Sequence, residues 1–99
     1  MRLVELEPRW IHPNLFVFRC PHCPEVLLSC KNIAMSWNEQ YDIFERVFGE
    51  HWPMLIVPCK DETAWTFSGT DFNTLSVSPS LNANASGHWH GFISNGEIA

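Results

Sequence analysis

Cys20-Pro21-His22-Cys23 is the segment of this 99-residue chain best suited to chemistry. Two cysteines with two residues between them can set both sulfurs on one cation in a tight turn, whose amides donate to the sulfurs and whose shape proline helps to fix. A redox dithiol of the same spacing calls for a strand-then-helix setting. Here apolar runs flank the motif on both sides, Leu15-Phe16-Val17-Phe18 before it and Val26-Leu27-Leu28 after it. That pattern suits a hairpin knuckle holding zinc.

A knuckle supplies two of the four ligands of a closed structural zinc site. His88 and His90 are the pair expected to complete it, because residues two apart on a strand face the same way. Trp89 and Ile93 then turn towards the core. Cys30 and Cys59 are the rival pair, although both stand at the ends of apolar runs, where a small buried thiol is the favoured reading. His22 is expected to face solvent, and His12 and His51 have no partner that sequence identifies. Ser76, Ser78 and Ser80 lack the strained elbow and acidic third member of a serine nucleophile. The expected metal ligands are therefore Cys20, Cys23, His88 and His90, with no catalytic residue assigned.

The elements that must position these residues read as α+β: a small, mainly antiparallel sheet with a knuckle hairpin and one inserted amphipathic helix. Pro8 and Pro13 predict an extended N-terminal segment. The first run is all apolar, as in a strand buried on both faces, and the second is its hairpin partner. A helix is predicted over about 37–48. Ser36 and Glu39 fit a capping box at its start, Gly49 fits its end, and Pro53 prevents its resumption. Trp37, Tyr41, Phe44 and Phe48 share one face of it and are expected to pack in the core. Strands are predicted at Met54–Val57, Thr63–Phe67, Leu75–Ser78 and His88–Ile93. A turn is expected at Ser68-Gly69, a polar loop over Asn82–Gly87 and a hairpin turn at Asn95-Gly96.

Composition narrows the class further. The chain is 45% hydrophobic and 13% aromatic, with five Trp and seven Phe, which is the profile of one small globular domain over 1–99. A domain of this size gains much from a metal cross-link. Its net charge is −5, and its six basic residues (Arg2, Arg9, Arg19, Lys31, Arg46, Lys60) form no stripe. A phosphate-binding surface needs clustered cations, so no nucleic acid is expected and a protein partner is favoured. No run of about 18 apolar residues predicts a membrane span. The start, MRLVELEPRW, lacks the apolar core of a signal peptide, so the expected compartment is the cytoplasm of a bacterial cell, where cysteines are thiols or metal ligands.

The tail carries a resemblance. Leu75-Ser76-Val77-Ser78-Pro79-Ser80-Leu81 and the terminal His88-Trp89-His90-Gly91-Phe92-Ile93-Ser94-Asn95-Gly96-Glu97-Ile98 are, together with the knuckle, similar to a family of small bacterial and phage proteins. Its bacterial members occur beside ubiquitin-like conjugation genes in the Bub (bacterial ubiquitination-like) operons, and the chain looks BubE-like. The likeness covers roughly 15–30 and 63–98, with the helical segment as an insertion. It implies a small zinc-bound β fold. Cys20 and Cys23 match the family's knuckle and His90 its terminal histidine. Many relatives carry a cysteine three places before that histidine, where this chain has Gly87, and His88 is the natural replacement.

The expected function is a zinc-stabilised protein-interaction module, an accessory or host-modulating protein of a phage or bacterium. The alternative is a metal-dependent hydrolase acting on ubiquitin-like or other conjugates. A hydrolase would keep an open coordination position and a nearby carboxylate, yet no His-Glu-x-x-His helix is present.

Overall fold

A computed structural model describes residues 1–22, 25–49, 56–57, 64–82 and 90–98; for residues 57, 79–82 and 90 only the backbone is described. Among the described residues there are two four-stranded sheets, one α-helix and one 3-10 turn. The first sheet contains β1 (Arg9–His12), β2 (Leu15–Arg19), β3 (Leu27–Lys31) and β4 (Ile56–Val57), side by side in that order. The second contains β5 (Thr66–Ser68), β6 (Ser76–Asn82), β7 (His90–Ser94) and β8 (Glu97–Ile98), also in order. All pairs are antiparallel except β3 with β4, which is parallel. The α+β expectation holds, with the β part divided into two sheets instead of one.

The first sheet is covered on both faces, which explains why β2 reads as an unbroken apolar run. Phe16, Phe18, Cys20, Leu28 and Cys30 point towards the second sheet and join Leu75, Val77 and Ile93 in one cluster. Leu15, Val17 and Leu27 point the other way, into a second cluster with Met35, Ile43, Phe44 and Ile56. A strand serving two cores has no polar face to show.

α1 spans Trp37–Phe48, as predicted. Ser36 Oγ accepts from the Glu39 amide at 3.2 Å, and Gly49, at φ +60°, donates to the Glu45 carbonyl at 2.7 Å. The aromatic stripe needs correction. Phe44 is fully buried, but Trp37 and Tyr41 are exposed, and the helix instead buries Gln40 and Ile43 beside Phe44. At a 100° step, Gln40, Ile43, Phe44 and Val47 centre the contact face and Trp37 and Tyr41 fall on its flank. Gln40 is tolerated there because its Nε2 donates to the Met35 carbonyl at 3.1 Å.

Three contacts link the segment around β5 to the first sheet. The Trp65 amide, just before β5, donates to the Lys31 carbonyl at the end of β3. Phe67 of β5 packs on Phe16 of β2 with ring centroids 5.4 Å apart, and Phe72, in the following loop, stacks on Trp10 of β1 at 5.3 Å. The segment thus runs from the end of β3 to the rings of Phe16 on β2 and Trp10 on β1.

Some boundaries moved. The N-terminal segment is not extended throughout: Leu3–Leu6 forms a 3-10 turn whose two leucines are buried. Its chain joins the edge of β8, where Leu3 N donates to Gly96 O and Ile98 N to Met1 O, both at 2.8 Å. The strand expected at Leu75–Ser78 continues to Asn82. Within it Val77 pairs with Ile93 and Leu81 with Gly91, so Ser78, Pro79 and Ser80 face Phe92 alone. This bulge is where an interior strand can accept a proline, which has no amide for the ladder. Asn95 and Gly96, at φ +48° and +77°, form the two-residue turn from β7 to β8. The predicted strand residues Met54, Leu55, Thr63, His88 and Trp89, and the loop over 83–87, lie outside the described residues.

Candidate metal centre

Cys20 directly follows β2. Its amide donates to the Val26 carbonyl at 2.9 Å, so the hairpin ladder runs one pair beyond Arg19 and Leu27. The loop between these partners, residues 21–25, carries the second cysteine of the motif. Cys20 is fully buried and lies on the face of Phe16 and Phe18, between the two sheets. Cys23 and His88 lie outside the described residues, and His90 is described by its backbone alone, as the first residue of β7 opposite Asn82.

The order of the second sheet relates β7 to the knuckle. β7 runs in the same sense as β5, since each is antiparallel to β6. The edge strand β8 is bonded to the N-terminal segment, and Glu7, just beyond the 3-10 turn, pairs with Arg19 at 2.9 Å. Stepping from β5 to β8 thus moves along the first sheet from Phe16 towards Arg19 and Cys20.

Alternation adds a constraint. Along β7, Gly91 and Ile93 are buried while Phe92 and Ser94 are exposed. His90 has the register of the exposed pair, whereas Cys20 has that of residues buried between the sheets. Among the described residues, no three His, Cys, Asp or Glu side chains form a metal-binding group. The donor set still fits zinc chemically, since one thiol is buried at the end of a tight hairpin and the other three donors are cysteine and histidine.

Cys30 is a fully buried thiol in the same apolar cluster as Cys20, as the packing reading expects, and Cys59 lies outside the described residues. Paired across the ladder, Cys30 stands opposite Phe16, four residues along β3 from Val26. His22 is exposed as expected. His12 has a local task, its Nδ1 accepting from the Asn14 amide at 3.1 Å. His51 lies outside the described residues. Ser76 Oγ accepts from the Asn95 amide at 2.8 Å, which fixes the approach to the last turn.

Sequence reading missed the buried polar residues Ser29, Lys31 and Gln40. Lys31, counted among the scattered cations, is fully buried, as is Gln40, with Ser29 nearly so. Their signal was available: Ser29 and Lys31 alternate with Leu28 and Cys30 in a strand buried on both faces, so both had to be interior. None of the described helices is long and apolar enough to cross a membrane. No protein-family model, curated protein or solved structure matches the chain.

Proposed function

We propose that the chain is a small protein-interaction module whose fold is cross-linked by a structural zinc held by Cys20, Cys23, His88 and His90, serving as an accessory or host-modulating protein of a phage or bacterium. The observation that supports this most is the position of Cys20. It is a buried thiol at the closing pair of a hairpin whose loop carries Cys23, in the cluster that joins the two sheets. Zinc held by these four residues would tie the first hairpin to the last long strand, which are far apart in sequence. The ion would supply cross-linking alone, since four protein ligands leave no position for water or substrate.

The energetic case is one of size. A chain this short buries a limited core, and structural zinc adds on the order of 10 kcal/mol of apparent binding free energy in finger peptides at neutral pH. The test is a thermal melt followed by near-ultraviolet circular dichroism, which reports the packed aromatics, with and without a strong chelator. Chelation is expected to abolish the cooperative transition, and added zinc to restore it. A melt unchanged by chelation would remove the structural role. A three-ligand site with a bound water would favour the hydrolase instead.

A further inference from the structure

Trp37, Tyr41 and Glu45 recur every fourth residue and so form one row along α1. Trp37 is 49% exposed and Tyr41 39%, and Ile33, shortly before the helix, is 43% exposed. The two rings meet edge to face at 6.2 Å, and Tyr41 meets buried Phe44 in the same way at 5.9 Å, which anchors the row to the core. Glu45 is exposed at the end of the row. Phe48 lies on the same flank and already carries a cation: the Arg9 guanidinium sits 5.4 Å from its ring centroid. The other described arginines are engaged, Arg2 with Glu97, Arg19 with Glu7 and Arg46 with Asp42.

We infer that the Trp37–Tyr41–Glu45 row docks an arginine-bearing segment of a partner protein. A guanidinium stacks on indole and phenol faces and forks onto a carboxylate, and the row offers these three groups in line. Trp and Tyr also dominate binding energy at protein interfaces. Charge selects the occupant. The chain carries −5, and Glu39 is exposed on the helix beside Glu45, so a basic segment is drawn in. A second copy would present the same carboxylates. The inference names the partner class of the interaction module proposed above and rests on that reading, but not on its metal.

The test is an amide and indole NMR titration of the full chain with an arginine-rich nonapeptide, beside a glutamate-rich peptide of equal length. The arginine peptide is expected to shift the Trp37 indole N–H and the amides of 37–45. Trp37→Ala and Glu45→Gln should each weaken binding by about fivefold or more, taking about 1 kcal/mol per contact. Glu25→Gln, at the β2–β3 turn, should leave it unchanged. Zinc content and melting point, measured on every variant, keep the two proposals distinct. Lost peptide binding with wild-type zinc and melting supports the row. Peptide shifts that avoid the row, or Trp37→Ala binding as wild type does, would overturn it whatever the metal content. So would self-association that Trp37→Ala abolishes.

Discussion

The amide of Cys20 donates to the carbonyl of Val26 across 2.9 Å, so the ladder joining β2 to β3 carries on to the first cysteine of the knuckle. The hairpin ladder thereby fixes the backbone of Cys20. Its buried thiol belongs to the same cluster as Cys30, so the two cysteines invite direct comparison.

Cys20→Ser and Cys30→Ser should behave differently. Each replaces a buried thiol by a hydroxyl and should cost roughly 1–3 kcal/mol for a polar group placed in apolar surroundings. Only Cys20→Ser should also lose zinc, and with it the sensitivity of the melt to chelators. Paired melts with and without chelator check this. Equal chelator sensitivity in the two variants would contradict it.

Phe44 and Tyr41 share a ring contact and a helix but differ in burial. Phe44→Ala should destabilise the fold by about 3–5 kcal/mol, as expected for an aromatic removed from a core. Tyr41→Ala should cost about 1 kcal/mol or less. Urea denaturation at fixed zinc measures both, and similar losses would mean that Tyr41 is part of the core after all.

The helix cap is a smaller, separable effect. Ser36→Ala removes the acceptor of the Glu39 amide and should cost about 1 kcal/mol. Ser36→Asp should retain most of that stability, since a carboxylate at this position caps the same amide and favours the helix dipole. Urea midpoints of the two variants settle the comparison.

Gly96 has no room for a side chain. A Cβ there would lie 2.2 Å from the Asn73 carbonyl oxygen, in a turn already at φ +77°. Gly96→Ala should therefore cost more than the roughly 1–2 kcal/mol of the left-handed conformation alone, because the β5–β6 loop must also shift. Asn95→Gly, at the neighbouring turn position, should be nearly neutral. Melting of both variants checks the contrast.

Local signals in the chain were a good guide to local structure. Ser36, Glu39 and Gly49 marked the helix, the Leu15–Phe18 run marked a strand between two cores, and Asn95-Gly96 marked the last hairpin. What stayed hidden depends on how elements meet. Spacing puts Trp37 and Tyr41 on the same side as Phe44, but only the angle at which α1 packs on the first sheet decides which part of that arc is buried. The division into two sheets, with Phe67 of β5 packed on Phe16 of β2, is a long-range fact with no sequence period. Pro79 was visible as a motif residue, yet its bulge appears only when β6 is set against Gly91 and Ile93. The ligand set remains the reading of the motif, with Cys20 as the one member whose surroundings are described.

Zinc stoichiometry combined with X-ray absorption at the zinc edge, on wild type, His88→Ala and Cys30→Ala, tests the central claim most directly. The account predicts one zinc per chain with two sulfur and two nitrogen neighbours, at about 2.3 and 2.0–2.1 Å. His88→Ala should lose the ion or exchange a nitrogen for water, and Cys30→Ala should keep the wild-type spectrum. Full zinc with an unchanged spectrum in His88→Ala, together with its loss in Cys30→Ala, would contradict the ligand set, and a wild-type chain with no stoichiometric zinc would contradict the metal itself.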